Sequence, residues 1–147
     1  MSTIPFTDRE LKRAWRELSV AAITSNNLRT NPQRLLLFYA VECGLKAAWL
    51  KRKRKTLFDD ADIDEIGHDL RCLSKKLCLG AKLSLPKNIQ LKPVNPVTKG
   101  VPEIPRNGSI TLLHQAWRYG GECKTPSGEE CEQQLQNILI WIEGELK

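Results

Sequence analysis

The chain has 147 residues, 41% of them apolar and 27% charged. That size and balance suit one soluble globular domain with a real core, and they exclude a fibrous protein, a fully disordered chain and a small disulfide-stapled scaffold. Lys and Arg total 23 against 17 Asp and Glu, a net charge of +6, which suits an anionic partner.

A capping box opens the first predicted helix. Thr7 can accept from the Glu10 amide while Glu10 reaches back, and Phe6 and Leu11 flank the box as a hydrophobic staple. Leu11, Ala14, Trp15, Leu18, Ala21 and Ala22 then recur at helical spacing, and Asn26 and Asn27 mark an exit turn. A second helix is predicted from Asn31 as cap, with Pro32 at the first helical position, to about Lys53. It is apolar on more than one face, as expected of the central helix of a bundle, and Glu42 and Lys46 form an i,i+4 pair.

The third helix is expected to start after Asp62, with Glu65 as reciprocal cap, a seam of Ile66, Leu70, Leu73 and Leu77, and Gly80 at its end. Residues 81–108 hold Pro86, Pro93, Pro96, Pro102 and Pro105, a density that forbids a long helix and reads as a loop or arm. A strand or short helix near Ile89–Leu91 stays open. A short fourth helix runs from Ser109 or Ile110 to Tyr119 and stops at Gly120-Gly121. A fifth opens at Ser127 with Glu130 and carries Cys131, Leu135, Ile138, Leu139 and Ile142 inward. With no sustained strand alternation and no repeat, the expected fold is all-α. It is an up-and-down bundle of four to five helices, with a long Pro-rich loop before the fourth, in one domain over 1–147.

Charge falls in blocks. Residues 8–55 carry twelve bases and four acids, and 56–70 carry six acids and no base. Residues 71–106 carry eight bases and one acid, and 107–147 three bases and six acids. The run Lys51, Arg52, Lys53, Arg54 and Lys55, with Arg71, Lys75 and Lys76, reads as a phosphate-contacting patch. The same run also suits a solvated helix C-terminus, and Asp59 to Glu65 could fold back and neutralise it.

Met1 to Phe6 has no signal-peptide pattern, and Leu35 to Leu50 is too short and too charged to span a membrane. Cys43, Cys72, Cys78 and Cys131 sit in apolar helical patterns and read as reduced residues of a cytoplasmic protein. Cys72-x5-Cys78 and Cys123-x7-Cys131 lack zinc-ligand spacing, so no metal and no cofactor is expected. No Gly-rich phosphate loop and no G-x-S-x-G element is present. The four tryptophans lie on predicted helices, where core packing is the default.

Three segments carry a family resemblance. They are Tyr39-Ala40-Val41-Glu42-Cys43-Gly44-Leu45-Lys46-Ala47, Ile66-Gly67-His68-Asp69-Leu70 with Leu73, and Ala116-Trp117-Arg118-Tyr119. In this order the chain resembles the HEPN superfamily of helical bundles over residues 30–80 and 109–145. The resemblance implies a bundle that often dimerises, in a family of RNA-cleaving toxins, defence effectors and non-catalytic partners of other proteins. Its catalytic members carry Arg, four to six residues, then His. Ile63, Asp62 and Ala61 occupy the Arg positions before His68, and Ser109, Gly108 and Asn107 those before His114. No catalytic residue is carried over.

The expected function is a non-catalytic HEPN-like binding or assembly module of the prokaryotic cytoplasm, in an anti-phage defence or toxin–antitoxin system. It would form a homodimer or a complex with a protein of the same operon, contact RNA or DNA, and use no membrane. A divergent ribonuclease is the alternative. His68, Asp69, Arg118 and Tyr119 are the candidate ligand or partner residues, with first-turn helix stabilisation the competing role for His68 and Asp69.

Overall fold

Thr7 caps the first helix as its spacing predicts. In the computed structural model, which describes residues 4–23, 29–67, 69–94 and 99–147, its hydroxyl accepts from the Glu10 amide at 3.1 Å while its own amide donates to Glu10 Oε1 at 3.0 Å. Helix α1 follows over Asp8–Ala21. The exit turn expected at Asn26 and Asn27 lies outside the described residues. Helix α2 spans Asn31–Lys53, but its cap is Thr30, boxed with Gln33, and Asn31 is already helical. Ten of its residues are buried, from Leu37 to Leu50, so it is the central element, with α1 packed along it. The Glu42–Lys46 pair forms at 2.9 Å.

The expected third helix is two. Helix α3 covers Asp60–Ile66 and α4 covers Leu70–Lys76, with Gly67 at φ 62° between them, a left-handed conformation that glycine adopts without strain. Asp59, reciprocated by Asp62, caps α3, and Asp69 caps α4. The seam itself is in place: Ile66, Leu70, Leu73 and Leu77 are all buried.

The all-α expectation is wrong. The described residues hold five strands in two antiparallel sheets. Strands β1 (Phe6–Thr7) and β2 (Leu57–Phe58) pair the start of α1 with the exit of α2. The Pro-rich segment is not one long loop among its described residues: after a 3-10 turn at Ala81–Leu83 it supplies β3 (Asn88–Val94), at the place left open for a strand, and β4 (Ile104–Ser109). A further strand, β5 (Cys123–Thr125), completes the order β4-β3-β5. The prolines are tolerated for a local reason. Pro93 falls where the β3–β4 register shifts, between Leu91 and Val94, and Pro105 lies on an edge strand, so neither removes a ladder donor from an intact central pairing. Ile89 and Leu91 turn to the helices, where Ile89 is buried in the core and Leu91 packs against it.

The predicted fourth helix is a 3-10 turn at Ile110–Leu112 running into α5 (Leu113–Arg118). Helix α6 (Gly128–Leu146) starts at the predicted Ser127 cap and packs on α2 with Cys131, Leu135, Ile138 and Ile142 fully buried. Among the described residues no helix is long and apolar enough to cross a membrane.

Glu132 of α6 ties three segments together. It accepts from Arg34 Nε at 2.9 Å and from Arg29 Nη1 at 3.2 Å, and Arg29 Nε also donates to the Ala22 carbonyl at 2.7 Å. All three charged side chains are about six-sevenths shielded from water, so the pairs gain more than surface bridges do. Glu132→Ala is expected to lower unfolding stability by about 2 kcal/mol, measured by urea titration.

Candidate functional site

The basic run at the end of α2 is spent on the protein itself. Lys51 Nζ donates to the Glu145 carbonyl at 2.5 Å. Arg52 pairs with Glu145 at 3.2 Å, donates to the Leu77 carbonyl at 2.5 Å and lies over the Trp141 ring. Lys53 pairs with Glu65 at 3.3 Å and sits 4.7 Å from the Trp49 ring centroid. Lys55 pairs with Asp62 at 2.6 Å and Asp59 at 3.2 Å. The acidic block thus folds back over the basic one, and the run joins α2 to α3, α4 and α6. Arg54 is the exception. Exposed and left-handed at φ 54°, it caps α2 and forms no ion pair among the described residues.

Asp62 anchors this joint. It is 3% exposed and accepts from the Trp49 indole at 3.0 Å, Lys55 at 2.6 Å and the Asp59 amide at 3.0 Å. Burial pushes its carboxyl up, but the bonds from Lys55, Asp59 and Trp49 outweigh that and hold it below the usual carboxylate range.

The second basic block is arranged differently. Lys76 reaches Glu65 at 3.9 Å and Lys92 pairs with Glu122. Arg71, Lys75, Lys82, Lys87, Lys99 and Arg106 form no ion pair among the described residues. Arg71 and Lys75 line a groove of about 370 Å³ between α4 and the Ala81–Leu83 turn, with Ser74 and Ser84 beside them. Arg71 Nε is anchored on the Leu85 carbonyl at 3.3 Å, and the buried Ser74 hydroxyl has no hydrogen-bond partner among the described residues.

Of the four ligand or partner candidates, His68 lies outside the described residues. The Asp69 carboxylate accepts from the Arg71 amide at 2.8 Å, the helix-cap role. Arg118 Nη2 donates to the Tyr39 hydroxyl at 2.6 Å and so ties α5 to α2. Tyr119, 76% exposed, rims a cleft of about 240 Å³ floored by Ile89, Leu91 and Ala116. Arg118 also lies over the Tyr119 ring, 5.9 Å from its centroid, and among the described residues no hydrogen bond or ion pair joins Asp69 or the 51–55 run to that pair.

A thiol that the sequence analysis did not single out lies on β5. Cys123 is half-buried there, and Cys131 of α6 is fully buried. The Cys131 thiol lowers the Cys123 thiol to about 7, against the opposing effect of burial and with help from the Arg34 charge, while the Cys131 thiol is pushed up. Cys123 opens onto a groove of about 320 Å³ that Arg34, Asn31, Lys92 and Ser127 also line. Arg34 reaches this groove past Gly128, where a Cβ would lie 2.6 Å from its Nη1. The other cysteines behave otherwise. Burial raises the Cys43 thiol to about 11, Cys72 is half-buried, and Cys78 is exposed at φ 58°, not in the core as its apolar surroundings in the sequence suggested. Among the described residues no cluster of three or more His, Cys, Asp or Glu is placed to hold a metal ion.

Comparison with protein-family models, with curated proteins and with solved structures gives no match.

Proposed function

We propose that the chain is a non-catalytic binding module that engages nucleic acid through the bases of residues 71–106. The observation that carries this reading is the contrast in charge use. Within the 51–55 run Arg52, Lys53 and Lys55 hold ion pairs, whereas Arg71, Lys75, Lys82 and Lys87 form none among the described residues along α4, the 3-10 turn and the approach to β3. Unpaired cations on one stretch of surface are what phosphate contacts require, because binding then releases counterions without first breaking internal pairs. The HEPN-like character, the protein partner and the defence or toxin–antitoxin setting in the cytoplasm belong to the same proposal and rest on the residue pattern of α2, α3–α4 and α5.

The test is fluorescence anisotropy with a labelled single-stranded RNA at low and moderate salt. Neutralising three exposed lysines together, Lys75→Gln, Lys82→Gln and Lys87→Gln, is expected to weaken binding at least about tenfold and to lower the salt slope by about 2, at roughly 0.7 per lost phosphate contact. Lys53→Gln should change affinity less than about twofold, since its charge is already matched. Equal binding by the triple variant and the parent would overturn the assignment, and degradation of the RNA by the parent would favour a ribonuclease.

A further inference from the structure

Three buried polar side-chain atoms have no hydrogen-bond partner among the described residues, and they lie on Trp15, Ser74 and Gln134. Of the three, only Ser74 shares a groove with two cations and no acid. A buried hydroxyl left orphaned costs stability, so its place calls for a reason. A helical serine commonly donates to the carbonyl four residues back, as Ser19 does to Trp15 at 2.6 Å. Ser74 makes no such bond, although it is only 4% exposed. Arg71, Ser74 and Lys75 fall at i, i+3 and i+4 of α4 and so share one side of the helix, while Leu70, Leu73 and Leu77 take the core side. All three line the groove of about 370 Å³, and Ser84 lines it from the side of the Ala81–Leu83 turn. Arg71 is held there by the bond from its Nε to the Leu85 carbonyl, which leaves Nη1 and Nη2 without a partner among the described residues. Asp69, the nearest acid along the chain, accepts from the Arg71 amide at the helix start and is not part of the groove's lining.

We propose that this groove binds a phosphate monoester, the group carried at the end of a nucleic-acid strand or by a free mononucleotide. A monoester presents three free oxygens and, at neutral pH, a charge of about −1.5 to −2. The groove offers donors of three kinds to those oxygens: the Nη groups of Arg71, the ammonium of Lys75 and the uncommitted hydroxyl of Ser74. A diester inside a strand has two free oxygens, a single charge and a sugar on either side. It suits a buried hydroxyl less well than a group that enters end-on. The volume lies in the range of small-molecule sites, roughly 300–1,000 Å³, and so leaves room for a sugar beside the phosphate. The strand-end source rests on the reading of residues 71–106 as a nucleic-acid surface, whereas the chemistry of the groove does not.

The experiment has two arms, both on the full chain. Fluorescence anisotropy compares one single-stranded RNA carrying a 5′-phosphate, a 3′-phosphate or neither. Alkylation of Cys78 by iodoacetamide, read by peptide mapping, is timed with adenosine 5′-monophosphate, with adenosine and with no addition. Cys78 is exposed and lines the same groove, so an occupant shields it. The parent should bind a phosphorylated RNA at least about fivefold tighter than the unphosphorylated one. The monophosphate, and not adenosine, should slow alkylation at least about threefold at millimolar concentration. Lys75→Gln should abolish both effects. Ser74→Ala should weaken both while the thermal midpoint holds or rises, because it removes an unsatisfied hydroxyl and supplies a better helix former. A serine kept for the fold alone would instead lose stability and leave binding unchanged. Lys87→Gln, outside the groove, should weaken all three RNAs by the same factor. Shielding of Cys78 by the monophosphate without any RNA binding would assign the free nucleotide and overturn the nucleic-acid reading alone. RNA binding indifferent to the strand ends, with no shielding of Cys78, would overturn the groove and leave that reading intact. A phosphate preference that survives both Ser74→Ala and Lys75→Gln would also overturn the groove, and absence of RNA binding and shielding alike would overturn both.

Discussion

Asp62→Ala should cost about 3 kcal/mol of unfolding stability, a large fraction of what a domain of this size possesses. The substitution strips three donors at once. The Trp49 indole N–H, on a residue 3% exposed, is left with no acceptor, Lys55 loses its nearer carboxylate, and the Asp59 amide loses its cap. Asp62→Asn separates these effects. It retains an oxygen for Trp49 but not the charge for Lys55, which can turn to water, so about half the loss is expected. Urea titrations at several pH values check the electrostatic part. Because the Asp62 carboxyl is held below its ordinary value, its contribution is complete above the unfolded-state value of about 4. It is lost as pH falls through the lower folded value, so the gap between parent and Asp62→Asn should close in acid. A gap that stays constant from pH 7 to pH 2 would show that charge has no part in it.

Gly44→Val is expected to destabilise by about 3 kcal/mol through overpacking. A Cβ at position 44 would lie 2.7 and 2.9 Å from Ile142 Cγ2 and Cδ1 and 3.0 Å from Trp15 Cδ1. Helices α1 and α6 therefore both press on α2 at this one residue, and the missing side chain is what lets three helices close on a single point. Gly44→Ala is the finer test. Helix propensity favours alanine by about 1 kcal/mol, while the contact forces Ile142 to move, and the contact should win by about 1 kcal/mol. In the double variant Gly44→Ala with Ile142→Ala, the obstructing carbons are gone, so its cost should fall below the sum of the single costs. Strict additivity would mean that the close approach is not what position 44 is for.

The helices were legible because their signals are local. Thr7 with Glu10, Ser127 with Glu130 and the seam from Ile66 to Leu77 need only a few neighbouring residues, and each falls where it was expected. The sheet was only partly legible. The prolines exclude a long helix and leave a strand or a short helix open near Ile89–Leu91, but the pairing partners lie far along the chain, at Ile104–Ser109 and Cys123–Thr125. Asn88-Ile89-Gln90-Leu91 alternates as a strand does, but four residues beside Pro93 are too few to decide between the two. The α3–α4 break was similarly hidden, since Gly67 sits inside an apolar pattern that stays in phase across it.

For the candidate sites the limit was distance along the chain. Pairing of Lys55 with Asp59 and Asp62 could be foreseen as a fold-back. That of Arg52 with Glu145 could not, because 93 residues separate them and only the docking of α6 on α2 brings them together. Cys123 and Cys131 were set aside on zinc spacing, a criterion that is silent about the burial and charge around each thiol.

The outer margins of the three-stranded sheet determine what this protein can do with a second copy of itself. One margin, β4, carries Pro105, which offers no amide to an incoming strand, and the other, β5, is three residues long and ends against Pro126. Neither presents the long unbroken ladder on which chains add strand to strand into fibrils. Open-ended growth by adding strands at these two margins is therefore disfavoured, whatever surface a second copy would use.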